Sequence, residues 1–92
     1  MSQPRTRLPN HPTGAQLRAA RAMVRLSIQD LARMTGLAEG TIKRAEKGDG
    51  DAPITNANAK LILATLEARG VVFLPAGEWG PGVCLRVPAD VR

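Results

Sequence analysis

Apolar positions recur along this chain first at helical and then at strand spacing. Leu17, Ala20, Arg21 and Val24 fall at i, i+3, i+4 and i+7, one face of an α-helix. Thr13 precedes the run as an N-cap, and Gln16 three residues on completes a capping-box pattern, so a first helix is predicted from about Gly14 to Val24. Ser27 is the next cap, with Asp30 three residues on and Leu26 before it as a staple, which predicts a second helix over roughly Ile28 to Met34. Gly36 ends it, because glycine accepts the left-handed conformation that follows a helix terminus. A third helix is expected from about Glu39 to Lys47, stopping at Gly48, and the run from Gly48 to Pro53 is turn chemistry throughout.

Thr55 to Arg69 is helical again, with Leu61, Ile62, Leu63, Ala64 and Leu66 spread around much of the circumference, so this helix is expected to be covered on several sides. After Gly70 the period changes. Val71 to Leu74 reads as a short strand, Pro75 to Gly82 as a turn, and Val83 to Val87 as a second, alternating strand. Val71/Phe73 and Val83/Leu85/Val87 would form the apolar face of the hairpin, and Cys84 and Arg86 share the other face. The expected fold class is mainly α, four helices followed by a C-terminal β-hairpin. The boundaries are a basic, Pro-rich arm over 1–13, a helical domain over 14–70, and a hairpin extension and tail over 71–92 that is a candidate dimerisation element, since two strands alone leave unpaired edges.

Charge sharpens this picture. Of the 13 basic and 8 acidic residues, positions 15–48 hold seven basic and three acidic groups while 49–92 are close to neutral, and the arm adds Arg5 and Arg7. A positive field concentrated in one half suits a polyanion, and nucleic acid more than a membrane, because no basic amphipathic helix with large apolar anchors is present. No apolar run reaches membrane-spanning length and none at the N-terminus resembles a signal peptide, so a cytoplasmic, nucleoid-associated protein is expected. With one His, in the arm, and one Cys, there is no catalytic cluster, phosphate loop or metal-ligand set, and neither an enzyme nor a cofactor or metal is expected. Cys84 is expected to be a packed thiol, and Trp79 a packing or interface residue.

Two short helices joined by a glycine-containing turn can place one helix across a phosphate backbone and the next in the major groove. Leu31, Ala32, Leu37 and Ile42 supply the packing positions for such a pair. The segment with Leu26-Ser27, Asp30-Leu31-Ala32, Gly36-Leu37, Thr41-Ile42 and Arg44-Ala45-Glu46-Lys47-Gly48 resembles the lambda-repressor/Cro-like, xenobiotic-response-element type of helix-turn-helix regulator, over about residues 15 to 69. The tail, Leu66 to Phe73 and Gly80 to Arg86, is similar to the hairpin extension of one bacterial subgroup.

The resemblance implies base contacts from Glu39, Gly40, Lys43 and Arg44, chemistry that suits them: Arg and Lys donate to guanine O6 and N7, and Glu accepts from cytosine N4. Thr41 is suited to bond phosphate or to touch a thymine methyl; Gln29, Lys47 and the arm residues Arg5 and Arg7 are further candidates for backbone contact, and Arg18, Arg25 and Arg33 weaker ones. The resemblance also implies an internal ion pair between Arg21 and Glu46. The chain departs from the family pattern at Ile28, where a Gln is usual, and at Ala38, which replaces the usual polar cap of the recognition helix. The reading is a duplex-DNA-binding transcriptional regulator, a repressor rather than an activator, acting as a homodimer at a pseudo-palindromic site. The alternative is an antitoxin or interaction module that binds a partner protein as well as its own promoter. RNA is disfavoured because Phe73 and Trp79, the only aromatics, lie outside the basic half.

Overall fold

A computed structural model describes residues 11–86. Four helices, α1 (Gly14–Met23), α2 (Ile28–Thr35), α3 (Glu39–Ala45) and α4 (Asn56–Glu67), precede an antiparallel hairpin of β1 (Val71–Leu74) and β2 (Gly82–Leu85). Local chemistry sets most helix starts. Thr13 Oγ1 accepts from the Gln16 amide at 3.0 Å while Gln16 Oε1 accepts from the Thr13 amide at 2.9 Å, and Ser27 and Asp30 make the same reciprocal box at α2. Thr55 caps α4 through the Asn58 amide. Ala38 leaves α3 without a side-chain cap. The Asp30 carboxyl lies below the usual carboxylate range because the Ser27 amide, the Ser27 hydroxyl and Arg33 all favour its charged form.

Leu17, Ala20, Leu31, Ile42, Ala45, Ile62, Leu66 and Val71 form a single core, each almost fully buried. Removing a leucine or isoleucine of this kind from water is worth about 1.5–3 kcal/mol. α2 packs against both α3 and α4, and the hairpin lies on α1 and α4. Residues 11–13 are part of this body: Thr13 bridges Asp51, the Ala52 amide donates to the Pro12 carbonyl, and His11 Nε2 lies 2.9 Å from the Ala52 carbonyl. Arg5, Arg7 and the rest of the expected arm fall outside the described residues.

α3 is shorter than expected. It ends at Ala45 because the Lys47 amide turns back to the Arg44 carbonyl and the chain bends away, so Lys47 sits just beyond the helix. This bend runs close over the start of α1, where a Cβ on Gly14 would collide with the Gly48 carbonyl, so only glycine fits there.

α4 departs from expectation in coverage. Ala59, Ile62, Leu63 and Leu66 are buried, but Leu61 is 40% exposed and Ala64 is exposed, because α2 and the hairpin cover one side of the helix only.

The hairpin register pairs Val71 with Leu85 and Phe73 with Val83, so these four share a face as the alternation predicts. Val71, Phe73 and Val83 pack on the core of their own chain, while Leu85 stays 45% exposed. Cys84, expected to be packed, is exposed: the period of two turns it to the face away from the core. Trp79 is 83% exposed in the turn and contributes nothing to the core. The second strand begins one residue early, at Gly82, and Val87 lies outside the described residues.

Candidate nucleic-acid interface

The turn between α2 and α3 fixes their mutual orientation. Gly36 adopts φ +78°, with its amide donating to the Ala32 carbonyl at 2.8 Å. Thr35 Oγ1 donates to the Leu31 carbonyl at 2.7 Å and accepts from the Leu37 amide at 3.2 Å, so one hydroxyl ties the end of α2 to the turn. Ile42 and Ala45 then insert into the core. With 100° per residue, this turns Glu39, Gly40, Lys43 and Arg44 to the opposite side, and all four are exposed.

Thr41 is half-buried on the flank and lies 3.4 Å from Arg44 Nη2. Lys47 extends the basic surface past the helix end. Among the described residues, no carboxylate is within ion-pair distance of Lys43, Arg44 or Lys47. Their charges face water. Gln29 and Arg33 of α2 line an open groove with Ala32, Gly36, Leu37 and Glu39, so the outer side of α2 and the beginning of α3 form one surface. Arg33 is engaged at the surface by Asp30 at 2.6 Å.

The back of α3 is held by charge as well as by hydrocarbon. Arg21 Nε donates to Glu46 Oε2 at 2.8 Å and Nη2 to Oε1 at 2.9 Å, while Nη1 donates to the Leu26 carbonyl at 3.0 Å. Glu46 is 5% exposed. The hydrogen bonds that Arg21 donates to Glu46 raise the Arg21 pKa above its ordinary value, against the opposing effect of burial. This fork joins α1, the turn before α2 and the end of α3. Arg25, in that turn, is exposed with φ +59°, the left-handed position where a glycine is usual.

Arg18 is engaged by its own chain. Nη1 donates to the Glu46 carbonyl at 2.5 Å and to the Gly48 carbonyl at 2.9 Å, and Nη2 to Asp49 at 2.5 Å. These bonds close the C-terminus of α3, and the side chain stays 42% exposed. The pattern also concealed a second role for Gln16. Beyond its cap, its Nε2 donates to the Leu74 carbonyl at 3.0 Å and the Gly82 carbonyl at 2.9 Å, pinning the hairpin to the start of α1.

Among the described residues, no group of three or more His, Cys, Asp or Glu could hold a metal, and no helix is long and apolar enough to cross a membrane. No protein-family model matches this chain, and no curated protein matches it.

Proposed function

We propose that this protein is a sequence-specific duplex-DNA-binding transcriptional regulator of the lambda-repressor/Cro-like type, which lays α3 in the major groove. One observation carries this reading: Glu39, Gly40, Lys43 and Arg44 form an exposed face on a helix whose opposite side is locked into the core, and the cations on that face have no carboxylate partner among the described residues. Unpaired guanidinium and ammonium groups on a rigid helix are suited to the acceptors of guanine. Gln29 and Lys47 flank the face at positions suited to phosphate, and the α2 groove lies beside it.

In this reading a homodimer presents two such helices about 34 Å apart, matching successive major grooves at a pseudo-palindromic site. Repression follows from occupancy of a promoter. Selection from random duplex DNA, followed by salt titration of the selected site, tests the reading. The expected result is a single enriched motif whose binding weakens on Lys43→Ala and Arg44→Ala. Enrichment of no motif, or binding indifferent to both substitutions in a folded protein, would overturn it.

A further inference from the structure

The outward side of α4 carries no charge. Ala59, Ile62, Leu63 and Leu66 point into the core, and the diametrically opposite side is made of Ala57, Leu61, Ala64 and Ala68, all exposed. On a solvated helix this is the side that is ordinarily polar. The spacing of four, three and four is that of the apolar seam of a helix pair, and the small alanines allow two axes to approach to about 8 Å. Met34, 41% exposed, borders the C-terminal end of the seam, where Arg69 reaches its sulfur.

We infer that this face is the surface on which a second copy of the chain docks, α4 against α4 in antiparallel orientation about a two-fold axis. The charges flanking the seam select that occupant. Lys60 and Glu67 lie seven residues apart on the same flank, both exposed, and the other flank carries the uncharged Asn58 and Thr65. A two-fold axis between Leu61 and Ala64 sets Leu61 against the Ala64 of the second copy and Ala57 against its Ala68. The same operation brings Lys60 beside the second copy's Glu67, and the symmetry makes that pair twice. A parallel pairing would instead set this charged flank against the uncharged Asn58 and Thr65 of the second copy and leave both charges without a partner. Duplex DNA is excluded as the occupant because the face offers a polyanion no net positive charge.

On the inner side of the hairpin Val71, Phe73 and Val83 already pack on their own chain, whereas Ala57, Leu61, Ala64 and Ala68 on α4 all face outward. α4 is about 18 Å long, so the contact is smaller than a standard interface and the association is reversible in the micromolar range. This inference deepens the dimeric reading proposed above, but it is measured without DNA, so the two fail separately.

Sedimentation equilibrium of the full chain across the micromolar range tests it. The wild type is expected to show a monomer–dimer equilibrium, and Ala64→Glu, which sets a carboxylate against the apolar seam, to weaken it about tenfold or more. Lys60→Glu and Glu67→Lys should each weaken association, and the double exchange should restore it. These two substitutions lie on exposed positions and keep the test valid if Ala64→Glu unfolds the protein. A wild type that stays monomeric, a dimer undiminished by Ala64→Glu, or a double exchange that fails to restore association would each overturn the inference.

Discussion

α3 and α4 pack into the same core, yet their outward sides are opposites. α3 presents Glu39, Lys43 and Arg44 to solvent, whereas α4 presents Ala57, Leu61, Ala64 and Ala68. Their inward sides differ too. α4 turns Ala59, Ile62, Leu63 and Leu66 into the core, but the end of α3 is held by the buried fork of Arg21 on Glu46. A short, charged, solvent-facing helix buries too little apolar surface to fix its own angle, so directional bonds supply what area does not. α4 needs no such device, and its exposed apolar side asks for a different kind of partner from the one that suits α3.

The largest effect should come from breaking the fork. Arg21→Met strands the buried Glu46 carboxylate, a loss of about 3–5 kcal/mol in folding stability, while Glu46→Gln leaves the part-exposed Arg21 and should cost less. Thermal melts of both variants check this. Removing both partners together should cost less than the sum of the two single losses, since neither charge is then stranded. A melting temperature close to the parent's in both single variants would show that α3 is held as α4 is, by apolar contact.

Next in size is the exposed side of α3, proposed to read DNA. Lys43→Ala and Arg44→Ala should each cost about 1–3 kcal/mol at the preferred DNA site and relax base choice locally, with no change in melting temperature. Arg18→Gln should do the reverse. Loss of its bonds to the Glu46 and Gly48 carbonyls should lower stability by about 1–2 kcal/mol and leave the salt dependence of DNA binding as it was. A shallower salt slope in Arg18→Gln would return this residue to the phosphate backbone. Gln16→Ala leaves two carbonyls at the mouth of the hairpin without their donor and should cost about 1–2 kcal/mol.

Arg18 and Gln16 also mark the limit of what the sequence makes legible. The capping boxes at Thr13 and Ser27 could be read because each closes within three residues, and the hairpin register because alternation has a period of two. Glycine at 36 announced a left-handed turn that any other side chain resists. Arg18, in contrast, bonds 28 residues away and Gln16 up to 66, and no local pattern encodes a partner at such separations. One-sided coverage of α4 was hidden for a related reason. A helix apolar on two opposite sides looks the same in sequence whether its second side meets the same chain or another. The exposed cations of α3 were legible as residue types at helical spacing, and the structure adds that they share one surface with Gln29 and Arg33.

The smallest effect concerns the helix starts, where α3 and α4 again differ. Thr55 caps α4 by accepting from the Asn58 amide at 3.1 Å, whereas Ala38 has no side-chain acceptor to offer. Ala38 nonetheless has φ −68° and ψ 147°, the extended conformation that N-cap residues adopt, so a serine there needs no backbone change. Its hydroxyl would reach the Gly40 or Thr41 amide. Ala38→Ser should therefore raise folding stability by about 1 kcal/mol, a shift of several degrees in the melting temperature of a domain this size. A parallel substitution, Thr55→Ala, should lower it by a similar amount. If Ala38→Ser fails to stabilise while Thr55→Ala destabilises, then the first turn of α3 is already satisfied, and the contrast between the two helices lies in their outward faces alone.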